Sequence, residues 1–167
     1  MRVRGLFLAV SAVVASVAMA ADRPLPKPGL WEITVSSEGS PRPPRTSRMC
    51  VDAATLGLLE KAGGGVGQLM CSRNDVRVVG KQVIADSVCK VESSTATTHT
   101  VISFDGNTAM RTDIHSHYEP AFVGKTDTSS VQTSRWIGEC GADMKPGDVL
   151  IQGGIKINVN QLTPARR

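Results

Sequence analysis

At 167 residues the chain holds one domain's worth of sequence, with 19 basic and 15 acidic side chains giving a formal charge of +4. So mild an excess argues against nucleic-acid binding, which usually needs a concentrated basic face. Aromatic residues are only 4% of the chain, which predicts a thin core that gains proportionately from disulfides.

The chain opens with the three parts of a secretory signal over residues 1–20. Arg2 and Arg4 make a cationic start, residues 6–17 are apolar and uncharged, and Ala18-Met19-Ala20 is a small-x-small cleavage site. The apolar run falls short of the roughly 20 residues that cross a membrane as a helix. Cleavage after Ala20 is therefore expected, leaving no stable membrane span. No cysteine follows the cleavage site, so a lipid anchor is not expected. Of the 167 residues 147 remain, and the formal charge falls to +2 because both signal arginines are lost.

Residues 21–29 form a proline-rich, extended lead-in with Pro24, Pro26 and Pro28. A single β-rich domain is expected over 30–160. Residues 30–36 alternate, with Trp31, Ile33 and Val35 on one face and Glu32, Thr34 and Ser36 on the other, the pattern of a half-buried strand. The prolines of 41–44 break it, and 46–51 returns to strand-like composition. Residues 52–62 predict the single helix, with Asp52 as cap and Leu56, Leu59 and Ala62 as its apolar stripe. Gly63-Gly64-Gly65 ends it. That glycine run follows a helix instead of opening one, the wrong order for a phosphate-cradling loop.

Hairpins come next. Residues 75–79 and 82–91 flank a Gly80-Lys81 turn, and 95–104 and 108–118 flank Asp105-Gly106-Asn107, a hairpin signal because Gly and Asn tolerate positive φ. Residues 126–137, 149–151 and 155–159 are further strands, and 161–167 is read as a frayed tail. The fold class is mainly β: a curved antiparallel sheet or partly closed barrel of about seven main strands with one helix.

The four cysteines, Cys50, Cys71, Cys89 and Cys140, sit behind an export signal and read as two disulfides. Sequence alone allows three pairings. In a strict meander Cys50, Cys71 and Cys89 fall at one end of the sheet and Cys140 at the other. A helix in the 51–70 connector can carry the chain across, which favours Cys71–Cys89 and Cys50–Cys140. The first of these needs a bulge or a longer loop, because a two-residue Gly80-Lys81 turn sets Cys71 opposite Lys90.

Pro28-Gly29-Leu30-Trp31-Glu32, Met49-Cys50, Cys71, Cys89 and Arg135-Trp136-Ile137-Gly138-Glu139-Cys140, in this order, resemble the DUF3617 family of small exported proteobacterial proteins. The resemblance covers residues 28–140. It implies a periplasmic location and a β-rich fold, and it transfers no catalytic residue, because the family has no assigned activity.

Asp113-x-His115-x-His117 is the best candidate for chemistry, since alternate strand residues share a face and imidazole with carboxylate suits zinc or copper. With a two-residue Asp105-Gly106 turn, His99 lies opposite Thr112 and points to the other face, and a different loop length reverses that. The adopted reading leaves His115 and His117 facing solvent, with no metal or other cofactor assigned. Ser87-x-x-Lys90 lacks the helix and partner motifs of a serine–lysine enzyme, and no Cys-x-x-Cys supports thiol exchange. Trp31 and Trp136 read as structural anchors near the two chain ends.

The function these features favour is a non-enzymatic envelope module that binds a small apolar ligand or another envelope protein, and not nucleic acid. The alternatives are a metal-binding protein built on Asp113, His115 and His117, or an unrecognised hydrolase.

Overall fold

The computed structural model describes residues 25–57 and 71–161. The expected signal segment, the glycine run and residues 162–167 lie outside them, as do residues 58–62 of the expected helix. The described residues form nine strands: β1 (Gly29–Ser37), β2 (Arg45–Val51), β3 (Cys71–Val79), β4 (Gln82–Val91), β5 (Ser94–Asp105), β6 (Ala109–Phe122), β7 (Lys125–Gly138), β8 (Asp148–Leu150) and β9 (Lys156–Asn158). All pairings are antiparallel, and the sheet is open, in the order β3-β4-β5-β6-β7-β1-β2-β8-β9. The β-rich fold is the expected one, with seven longer strands and the short β8 and β9 close to the expected 149–151 and 155–159.

From β3 to β7 consecutive strands pair as a meander. Val79 faces Gln82 across a two-residue turn in which Gly80 has φ +58°, a first central position where glycine is favoured. The register holds through Arg73–Val88 and then shifts, so that Ser72 is the extra residue of a bulge and Cys71 faces Cys89. That bulge is what the Cys71–Cys89 disulfide needs, and the bond is present.

The second hairpin is present, without the two-residue turn. Asp105 pairs with Ala109, so the loop has three residues, Gly106-Asn107-Thr108. Two contacts distant in sequence hold it: the Lys27 N–H donates to Asn107 O at 2.8 Å, and the Trp136 N–H donates to Thr108 O at 2.7 Å. One residue more in a loop flips every side chain beyond it relative to the partner strand. His99 accordingly faces His115, not Thr112.

Strand β1 lies between β7 and β2, far from either end of the meander in sequence. Trp31 sits opposite both Met49 and Trp136, and these three lie on one sheet face. Trp31 is 3% exposed and forms a core with Met49 and Val51, against which Ile33, Leu56, Met110, Trp136, Val149 and Val159 pack. Its indole N–H donates to Lys27 O at 2.8 Å, while the Trp136 indole donates to Pro28 O at 3.0 Å and carries the Lys27 ammonium over its ring at 3.7 Å. Gly29 is required in this clasp. Its φ is +136°, and a Cβ there would sit 2.3 Å from Trp136 Nε1 and 2.4 Å from Gly138 O.

The Cys50–Cys140 disulfide, with Cα atoms 5.6 Å apart, straps the end of β2 to the chain leaving β7, and β1 lies between the two strands it joins. Both pairings are the ones the topology favours, and they sit at opposite ends of the sheet. Residues 53–57 are helical, with Asp52 as cap: its Oδ1 accepts the Thr55 N–H at 2.7 Å.

Alternation gives the sheet two unlike faces. Trp31, Met49, Val83, Ala96, Thr112 and Ser134 are buried and share one face by register. The opposite face carries the ion pairs, including Glu32 with Arg135 at 2.7 Å. Surface pairs of this kind set the face's character more than its stability.

Candidate functional site

The polar face gathers all three histidines of the chain. One rung runs Asp75, Asp86, His99, His115, Ser129 across β3 to β7, and the next runs Arg73, Val88, Thr97, His117, Asp127. All of these but Asp75 line a groove of about 430 Å³, together with Ser87, Thr98, Ser116 and Thr128. A second groove of about 370 Å³ on the same face lies between Glu32, Arg111 and Arg135. Ser, Thr and charged residues line both grooves, and the surface exposed inside them is mainly carbon.

Each imidazole is held through Nδ1. His99 Nδ1 lies 2.6 Å from Asp86 Oδ1, His117 Nδ1 2.9 Å from Asp127 Oδ1, and His115 Nδ1 2.9 Å from Ser129 Oγ. An ionised carboxylate only accepts, so Nδ1 of His99 and of His117 must carry the proton. In the neutral ring the lone pair is then on Nε2, which has no hydrogen-bond partner among the described residues. The hydrogen bond from His99, followed by that from Arg77, holds the Asp86 carboxyl below the usual carboxylate range. Hydrogen bonds from His117 and then Thr126 do the same for Asp127. Both carboxylates therefore stay ionised as acceptors over the whole range in which an ordinary imidazole titrates.

The sequence candidates meet only partly. Asp113, His115 and His117 do share the face, but Asp113 is engaged by Arg111, whose Nη2 lies 2.6 Å from Oδ1. That hydrogen bond holds the Asp113 carboxyl low. No three His, Cys, Asp or Glu side chains converge on one point among the described residues. The residues that sequence reasoning missed are His99, Asp86, Asp127 and Ser129. A signal for His99 exists: Asn107 lies midway between His99 and His115, so a three-residue loop centred there pairs them. Asp127 has no such signal, because the register shifts between His117 and Phe122.

A serine triad needs one imidazole bonded to both a hydroxyl and a carboxylate. Here the hydroxyl is on His115 and the carboxylates are on His99 and His117. Ser87 and Lys90, three residues apart on β4, point to opposite faces.

The residues on which the family resemblance rests lie elsewhere. Gly29, Trp31, Glu32, Arg135, Trp136 and Cys140 form the clasp that seats β1, with Glu32 also 3.8 Å from Arg48. No curated protein and no solved structure matches the chain. The model of a family described as a protein of unknown function, DUF3617, matches it over residues 26–140. The chain therefore belongs to the DUF3617 family.

Proposed function

We propose that the protein is an exported, periplasmic, disulfide-stapled binding module whose recognition surface is the polar face of its sheet. The observation that carries this reading is the assembly of all three histidines in one groove, each held through Nδ1 with no hydrogen-bond partner for Nε2 among the described residues. Oriented donors on a rigid sheet suit recognition, and the separation of hydroxyl from carboxylates supports binding without catalysis. Export is supported by the signal features of residues 1–20 and by two disulfides, which persist in oxidising compartments. Among the described residues no helix is long and apolar enough to cross a membrane. In this reading residues 1–20 leave as a signal peptide and 30–160 fold as one domain.

The full chain expressed in a bacterium with an outer membrane tests this. Osmotic-shock fractionation should release a protein that begins at Ala21 and has no free thiol. Native mass spectrometry of that material should show a non-covalent ligand, metal or partner that leaves on denaturation. Recovery in the cytoplasm with residues 1–20 intact would overturn the export reading. A bound species unaffected by replacing the three histidines would move the recognition surface elsewhere.

A further inference from the structure

The geometry points to a site for a divalent transition metal of the zinc and copper class, with His99 and His115 as its ligands and His117 as an adjoining third imidazole. This inference rests on the polar face being the binding surface and names the chemistry of what that face takes.

His99 and His115 are directly opposed on β5 and β6, which places their Cβ atoms roughly 4.5–5.5 Å apart on one face. Two imidazoles at that spacing can turn toward one ion. His117 stands two residues along β6, diagonal to His99 and within reach of a long side chain. As the side chains stand, no three ligand groups meet at a point, so the protein supplies two donors directly and leaves the other positions of the ion for water or a third group. An ion held this way keeps open positions, as functional metal sites do.

The tautomers fit the chemistry. A metal takes the neutral imidazole through a nitrogen lone pair, and the other ring N–H is characteristically donated to a carboxylate or carbonyl, which orients the ring and raises its basicity. His99 with Asp86 and His117 with Asp127 already have that arrangement, and His115 has Ser129 in the same place. The charges on this face do not oppose a cation. Arg73, Arg77 and Arg111 are paired with Asp75, Asp86 and Asp113, while Asp127 has no arginine partner among the described residues.

Zinc chloride and copper chloride titrated into the mature, oxidised protein should each bind with one-to-one stoichiometry by calorimetry. The His99→Ala/His115→Ala variant should weaken binding by about 100-fold or more, and His117→Ala should weaken it less. Asp86→Asn should weaken it by about 10- to 100-fold, the range for lost outer-shell partners. Retained disulfides and an unchanged far-UV circular dichroism spectrum show that each variant is folded. A second measurement needs no variant: substoichiometric Cu²⁺ should broaden the ring-proton resonances of His99 and His115 before those of other residues. Undiminished binding in the folded double variant, or broadening that spares both rings, overturns the metal site. If metal fails to bind while another ligand still co-purifies from the periplasm through this face, only the metal inference falls. If neither is found, the binding reading falls with it.

Discussion

Replacing Cys50 and Cys140 together by alanine is expected to lower unfolding free energy by about 4.5 kcal/mol, against about 3 kcal/mol for the Cys71–Cys89 pair. The difference follows from sequence separation, 90 residues for the first bond and 18 for the second, because a longer closed loop removes more entropy from the unfolded chain. Both values are upper bounds, since native-state strain and residual structure subtract from them. There is also a structural reason for the order. Cys50–Cys140 closes over β1 and joins β2 to the chain beyond β7, whereas Cys71–Cys89 joins two strands that a tight turn already holds in register. Urea unfolding of the two double variants measures this directly. An equal loss in both, or a larger loss for Cys71–Cys89, would show that β1 does not depend on its strap.

The Trp31→Ala variant should lose about 3–5 kcal/mol, the range for truncating a large buried aromatic. Typical domains have about 5–15 kcal/mol in all, so this one change would leave the protein near its unfolding threshold. Trp31 is 3% exposed, packs with Met49 and Val51, and donates to Lys27 O at 2.8 Å. Trp31→Phe should retain most of the packing and lose mainly a partly buried hydrogen bond, for about 0.5–1.5 kcal/mol. Chemical denaturation of both variants separates packing from hydrogen bonding. A loss below about 1 kcal/mol in Trp31→Ala would mean that the described core is not where the sheet is held together.

How far the fold was legible depended on where the information lay. The meander was readable because each hairpin announces itself with alternation and a turn, and Gly80-Lys81 set its register correctly through Arg73–Val88. The disulfides were readable because the ends of strands are countable. The face occupied by His99 was not. It turned on whether the 105–109 loop had two or three residues, and hydrogen bonds from Lys27 and Trp136 favour three. Those residues are distant in sequence, so no local propensity carries the answer. The insertion of β1 between β7 and β2 had a similar cause: it joins strands about 100 residues apart, with a Trp on each as the only hint. The motifs that made the family recognisable belong to that clasp, which is why they led to the fold and not to the groove.

The imidazoles on the polar face are fixed through Nδ1, which leaves Nε2 of His99 and His117 free to take a ligand. Long-range ¹H–¹⁵N spectra of the histidine rings test this directly. At about pH 8 the neutral rings of His99 and His117 should each report a protonated Nδ1 and a bare Nε2, as their bonds to Asp86 and Asp127 require. Protonated Nε2 with bare Nδ1 in both rings would contradict it.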